Sequence, residues 1–188
     1  MSAVVSRADR IVGPAATIGV VGAVGHVGTA LAQAADPIHA LQWTIPSAIA
    51  SVLLIATVIG LWRSGAIGGG RVVRIGLVVI ASGLILIAVA QVVTWVRGEE
   101  IAALYIAATL LHVIGMAPVG VAVLRAGVWT GWRRWMPLLC AAYPLIASPL
   151  FAIPGTPGYL AVAGWGACWL GLGSALLRRA TPNRGDGS

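Results

Sequence analysis

Six long apolar stretches follow one another along the chain, separated by short polar or glycine-rich connectors. They span residues 11–33, 45–62, 75–96, 101–124, 135–153 and 159–177. A helix needs roughly 20 mostly apolar residues to cross a bilayer, and it pairs its own backbone groups there. The stretches lack the alternation of barrel strands. The pattern therefore predicts an all-α, polytopic integral membrane protein, with a six-transmembrane-helix bundle forming one domain over residues 1–188.

The composition excludes other classes. Of the 188 residues, 59% are hydrophobic and 9% are charged, against about 45–50% and about 25% in soluble domains. The basic pI, near 11.1, would suit a nucleic-acid-binding protein, but the apolar excess excludes one and makes the lipid bilayer the principal partner. All basic side chains are arginine, which is typical of GC-rich bacterial genomes.

The arginines predict the orientation of the bundle. Eleven of the twelve fall in the termini and in alternate connectors, and only Arg97 falls in the other connectors. Three acidic residues, Asp36, Glu99 and Glu100, also lie in those other connectors. Because cytoplasmic loops of membrane proteins carry the arginine excess, we expect both termini to be cytoplasmic and the protein to reside in the bacterial plasma membrane.

The first apolar stretch has an alternative interpretation as a cleaved secretory signal. Arginines precede it, and the segment Ala32-Gln33-Ala34 at its end matches a small-residue cleavage pattern. The stretch is longer than a usual signal core, and it contains Pro14 and His26. We therefore expect a retained helix.

Four glycines recur at every third residue of the first predicted helix: Gly19, Gly22, Gly25 and Gly28. Small residues let helices approach closely in lipid, where packing replaces the hydrophobic effect as the driving force. A period of three drifts around a helix of 3.6 residues per turn. We therefore predict a helix-packing face that contacts several neighbours, with room for a ligand as the alternative.

Two histidines lie well inside predicted spans, His26 in the first and His112 in the fourth. Ionisable residues at this depth usually face the bundle interior and mark functional sites, although a neutral imidazole can also be a structural hydrogen-bond donor. A buried indole N–H, such as that of Trp169 in the sixth span, needs an acceptor or a ligand. We predict a ligand-binding site formed by His26, His112, Tyr143 and Trp169.

The same histidines raise a second hypothesis, haem b held between two axial imidazoles. The glycines beside His26, and Gly115 beside His112, would help to open a slot for the macrocycle. The chain has no C-x-x-C-H attachment motif, and Cys140 and Cys168 form no metal-binding or redox pattern. We expect no metal, and we keep non-covalent haem as the alternative cofactor.

Prolines interrupt two of the predicted helices. Pro118 lies in the fourth, and Pro144 and Pro149 lie in the fifth. Each proline frees a backbone carbonyl, which a neighbouring helix, water or a ligand must satisfy. The result is either an ordinary kink or a discontinuous helix around a mid-membrane binding site.

The two halves of the chain resemble each other weakly. The segment 26–28 (His-Val-Gly) has a counterpart in 112–115 (His-Val-Ile-Gly), and the Trp and Pro of 43–46 have counterparts in 135–137. Because the first and fourth helices run in opposite directions, such halves would form a 3+3 inverted repeat about an axis in the membrane plane. The repeat would bring both histidines to one cavity.

Arginine and tryptophan alternate in the connector before the fifth span. Arg133 and Arg134 lie between Trp129, Trp132 and Trp135. Tryptophan prefers the membrane interface, and arginine attracts anionic headgroups. We predict an interface anchor there, with anionic lipids as partners of Arg133 and Arg134.

The residues absent from the spans limit the function. No Asp, Glu or Arg lies within a predicted span, which disfavours proton-coupled transporters. We find no enzyme motif and assign no catalytic residue. The leading hypothesis is a non-enzymatic protein that binds or transports a small apolar or weakly polar ligand, or serves as a membrane subunit. The alternatives are a haem-carrying redox protein and a structural protein that docks another membrane protein or its own copy.

Overall fold

The computed structural model describes residues 9–151 and 153–180. Every regular element in these residues is helical. The α-helices in chain order are α1 (Asp9–Ala35), α2 (Thr44–Arg63), α3 (Arg71–Arg97), α4 (Ala102–Ala126), α5 (Met136–Ile146), α6 (Ser148–Phe151) and α7 (Thr156–Ala180). Two short 3₁₀ segments, Pro37–Trp43 and Gly131–Trp135, precede α2 and α5.

Five helical segments are long and apolar enough to cross a membrane. They are Ile11–Ala35, Pro37–Arg63, Arg71–Arg97, Ala102–Ala126 and Thr156–Arg178. The prediction of an all-α fold is confirmed for the described residues, and the five long apolar helices support a membrane protein. The helix α3 extends beyond its predicted limits to an arginine at each end, since a long arginine side chain can keep its charge at the interface while its backbone stays helical.

The predicted fifth span, 135–153, differs from the expectation. It consists of the 11-residue α5 and the 4-residue α6, with a break at Ala147. Pro144 and Pro149 explain the break, because neither supplies a backbone N–H to the helical ladder. At 1.5 Å per residue, α5 is only about 16 Å long, so a six-span count is not confirmed by helix length. In α4, by contrast, Pro118 lies within a continuous helix.

Two contacts of α7 show which parts of the bundle the segment 136–151 connects. The Thr156 hydroxyl donates to the carbonyl of Ala34 at 3.0 Å, so α7 begins where α1 ends. At the opposite end, the Arg178 guanidinium lies 6.0 Å from the centre of the Trp132 ring. The segment 136–151 therefore connects the two ends, although its helix is broken.

The helices form a closed ring in chain order. Each long helix packs against the next, α4 packs against α5, and α7 closes the ring against both α5 and α1. The predicted inverted repeat is not confirmed. A twofold axis in the membrane plane would make the three helices of one half follow one another clockwise around the ring and those of the other half anticlockwise. In the structure, the helices of both halves follow one another in the same sense around the ring.

Three of the four regularly spaced glycines of α1 face α2. Cβ atoms built at Gly19 and Gly22 would overlap α2, and one at Gly25 would lie 3.5 Å from Ala50 of the same helix. Gly28 faces open space. The atoms nearest to the Cβ positions of Gly19, Gly22 and Gly25 belong to α2, and α1 as a whole packs against both α2 and α7.

The helix α7 approaches two neighbouring helices closely, one on each side. Cβ atoms built at Gly164 and Gly171 would overlap side chains of α5, and those built at Gly166 and Gly173 would overlap side chains of α1. Each pair is seven residues apart, which is two helical turns and one face. The helix α7 is therefore held tightly between α1 and α5, and its side chains between these faces point into the ring.

Candidate functional site

Four aromatic rings meet inside the helix ring. They are His26 of α1, His112 of α4, and Trp165 and Trp169 of α7, and we call them the aromatic cluster. Each is at most 7% exposed. The centre of the Trp165 ring lies 5.0 Å from that of His26, 5.3 Å from that of His112 and 6.0 Å from that of Trp169. The cluster thus joins three helices away from lipid.

A proline in α5 explains the position of His112. Pro144 has no N–H, so the carbonyl of Cys140, four residues earlier, lacks its helical donor. The imidazole Nε2 of His112 lies 3.1 Å from this carbonyl oxygen. His112 therefore replaces the missing donor, which ties α4 to α5 at the point where α5 is weakened.

This contact assigns the proton of His112. The indole Nε1 of Trp165 lies 3.4 Å from the same Nε2 and would donate to it in the other tautomer. One nitrogen cannot donate to Cys140 and accept from Trp165 at once. We assign the proton to Nε2, because the contact with Cys140 is shorter and its carbonyl has no helical donor. The Nδ1 atom is then a bare acceptor.

A chain of polar side chains leads from α3 to His26. The amide Nε2 of Gln91 donates to the Ser47 hydroxyl at 2.7 Å, and that hydroxyl lies 3.5 Å from Nδ1 of His26. The Ser51 hydroxyl lies 3.3 Å from the other amide atom of Gln91. Since Ser47 accepts from Gln91, its own proton is free to point to His26. This assignment leaves the proton of His26 on Nε2.

Three buried polar atoms of the cluster have no hydrogen-bond partner among the described residues. They are Nε2 of His26, Nδ1 of His112 and Nε1 of Trp169. With the tautomers assigned above, the nitrogens of His26 and Trp169 are donors, and the nitrogen of His112 is an acceptor. An unsatisfied buried polar group costs about 1–3 kcal/mol. The cluster therefore contains three buried polar groups whose partners the described residues do not supply.

The structure brings together three of the four predicted site residues. His26, His112 and Trp169 belong to the cluster, whereas Tyr143 is half-buried and its hydroxyl lies against Gly164, where no Cβ would fit. Trp165, which contacts the other three rings, was not among the predicted site residues. The polar chain through Gln91 and the serines of α2 was also missed, although a glutamine inside an apolar span was a visible signal.

The haem hypothesis meets a geometric obstacle. Trp165 lies between the two imidazoles. Gly115, expected to open a slot, instead packs against α3, where a Cβ built on it would lie 2.6 Å from the carbonyl oxygen of Gly76. A haem between the histidines would therefore have to displace the indole.

The arginine and tryptophan connector divides into two parts. Trp132 and Trp135 are exposed, and the Arg134 guanidinium lies 5.3 Å from the centre of the Trp135 ring, as suits an interface anchor. Trp129 is only 4% exposed. The interpretation of Trp129 as an interface residue is therefore wrong, because the chain before the 3₁₀ segment folds it into the core.

The aromatic cluster is a candidate site on the basis of its geometry. Among the described residues, no group of three or more His, Cys, Asp or Glu is placed to hold a metal ion. The buried rings supply apolar walls, and the unpartnered nitrogens supply a few polar contacts, which is the usual make-up of a small-molecule site. Comparison with protein-family models, with curated proteins and with solved structures found no match to this chain.

Proposed function

We propose that the protein is a multi-pass membrane protein that binds a small, weakly polar ligand at the aromatic cluster. The observation that supports this proposal is the set of three unpartnered polar atoms inside an otherwise apolar ring of helices. Buried polar groups in native proteins nearly always have partners. A ligand that accepts from His26 and Trp169 and donates to His112 would supply them.

The broken crossing suggests how a ligand reaches the cluster. The break at Ala147 leaves α5 shorter than the other crossings, and the contact of His112 with the Cys140 carbonyl holds it in place. Discontinuous helices beside mid-membrane sites are common in transporters. In our proposal, movement of α5 away from α4 and α7 opens the cluster.

The proposal includes an orientation and a location. Seven of the arginines with described side chains lie at one end of the bundle, and Arg97 lies at the other. By the positive-inside rule, the arginine-rich end is cytoplasmic, six crossings leave both termini cytoplasmic, and the membrane is the bacterial plasma membrane. The terminal residues 1–8 and 181–188 lie outside the described residues. A reporter fused after Arg74 should be active in the cytoplasm, and one fused at Thr156 should be active outside; the reverse pattern would contradict the orientation.

Extraction of the purified protein tests the binding proposal. We expect mass spectrometry of the organic extract to find a non-lipid molecule that is enriched over Trp169→Phe and His26→Phe proteins, which lack one unpartnered donor each. Trp95→Phe is the matched control, since Trp95 is exposed on α3, and it should retain the molecule. Identical extracts from all four folded proteins would contradict the proposal. A visible absorption spectrum of the same sample would reveal haem directly.

A further inference from the structure

A groove of about 620 Å³ opens at the arginine-rich end of the bundle, apart from the aromatic cluster. One wall is the start of α3, with Val72 and Val73. The other wall is the last two turns of α4, where Pro118, Val121 and Ala122 recur at helical spacing. The lining is almost wholly apolar, so the groove is suited to a hydrocarbon chain.

Close packing further along the same helix pair accounts for the groove. Gly76 and Gly115 face each other so closely that a Cβ on either would lie within 2.7 Å of the other's carbonyl oxygen. Beyond this contact, towards the arginine-rich end, larger side chains line both helices. The loop after α2 closes the groove with Ile67, held there by the left-handed turn at Gly68 (φ 65°).

Arg125 lies at the end of the groove on the last turn of α4. Its side chain is exposed and has no carboxylate partner among the described residues. The two described contacts between acidic and basic side chains, Asp36 with His39 and Arg97 with Glu99, lie at the opposite end of the bundle. A positive charge without an acidic partner among the described residues therefore lies beside an apolar groove at the arginine-rich end of the bundle.

We propose that this groove binds an anionic phospholipid, with one acyl chain along α4 and the phosphate at Arg125. The stretch from Pro118 to Ala126 is about 12 Å long at 1.5 Å per residue, which accommodates the part of an acyl chain nearest the headgroup. Arginine near a membrane surface attracts anionic lipids. A free phosphate would use the charge but not the apolar walls, so the combination selects a lipid.

Native mass spectrometry of the detergent-purified protein tests this site. The protein is equilibrated with equal amounts of phosphatidylglycerol and phosphatidylcholine that carry the same acyl chains. We expect about a fivefold preference for retained phosphatidylglycerol, the effect of one arginine near anionic headgroups. Arg125→Gln should abolish the preference. Val121→Trp, which fills the groove from a side chain that is already 39% exposed, should reduce retention of both lipids.

A second arginine at the same end is the matched control. Arg63 ends α2 and does not line the groove, so Arg63→Gln should keep the preference. An equal loss in Arg63→Gln and Arg125→Gln would show only general charge attraction and would overturn the proposal. Displacement of phosphatidylglycerol by inorganic phosphate, with no effect of Val121→Trp, would also overturn it, because the apolar walls would then contribute nothing.

Discussion

The contact between His112 and the carbonyl freed by Pro144 makes a quantitative prediction. His112→Phe keeps a ring in the cluster but removes the donor, so the carbonyl of Cys140 is left buried without a partner. In a Pro144→Ala protein, the alanine N–H can complete the helix and satisfy that carbonyl itself. The histidine should therefore matter more when Pro144 is present than when it is absent.

The difference between the two backgrounds is the coupling energy of a double-mutant cycle. Hydrogen bonds between transmembrane helices contribute on average about 0.6 and at most about 1.7 kcal/mol, and an orphaned buried carbonyl costs about 1–3 kcal/mol. We expect His112→Phe to lower the free energy of unfolding by about 1 kcal/mol more beside Pro144 than beside Ala. Changes in ring packing occur in both backgrounds and cancel.

Equilibrium unfolding in mixed detergent and SDS micelles, followed by circular dichroism, measures these four proteins. The single substitution Pro144→Ala serves as the reference for the second background. Equal losses on His112→Phe in both backgrounds would refute the assigned role of His112. A larger loss beside Ala would refute it as well, since the alanine is expected to relieve the need for the histidine.

Two further predictions concern packing and charge. Gly115→Ala should destabilise the protein strongly, because the new Cβ would meet the backbone of α3. Gly28→Ala places its Cβ in open space and should be neutral or stabilising by up to about 1 kcal/mol. The same unfolding assay compares the two proteins, and equal effects would contradict the helix packing. At the arginine-poor end, the hydrogen bond with His39 lowers the pKa of the Asp36 carboxyl from its ordinary 3.8. This contact should stabilise the fold above about pH 4, and its contribution should be lost as the pH falls through the lowered pKa. A carbon-13 NMR titration of the Asp36 carboxyl should therefore have its midpoint below 3.8. A higher midpoint would contradict the contact.

Helix positions were predictable where the length of the apolar stretch alone decided them. The length of the apolar stretches was enough to locate the five long helices, because a helix that crosses a bilayer needs about 20 apolar residues. The sequence showed the two prolines near Ala147, but it did not show that they would break the helix there. Pro118 stays inside a continuous helix, so the sequence signal at a proline does not decide between kink and break.

The site was predictable only in part, because its members are distant in sequence. His26, His112 and Trp169 were identified as costly polar groups at membrane depth. The role of Trp165 depends on how α7 is rotated between α1 and α5, and the glycines of α7 set that rotation through contacts with two different neighbours. The glycine period in α1 marked the close contact with α2, but it gave no sign of the glycine contacts that α7 makes with α1 and α5.

A crystal structure of the protein purified from bacterial membranes without added ligand would test the central claim most directly. The resolution must be high enough to show ordered water. We predict a non-protein molecule within hydrogen-bond distance, about 3 Å, of Nε2 of His26 and Nε1 of Trp169. If water alone, or other groups of the protein, satisfied these two nitrogens, the proposal that the aromatic cluster binds a ligand would be contradicted.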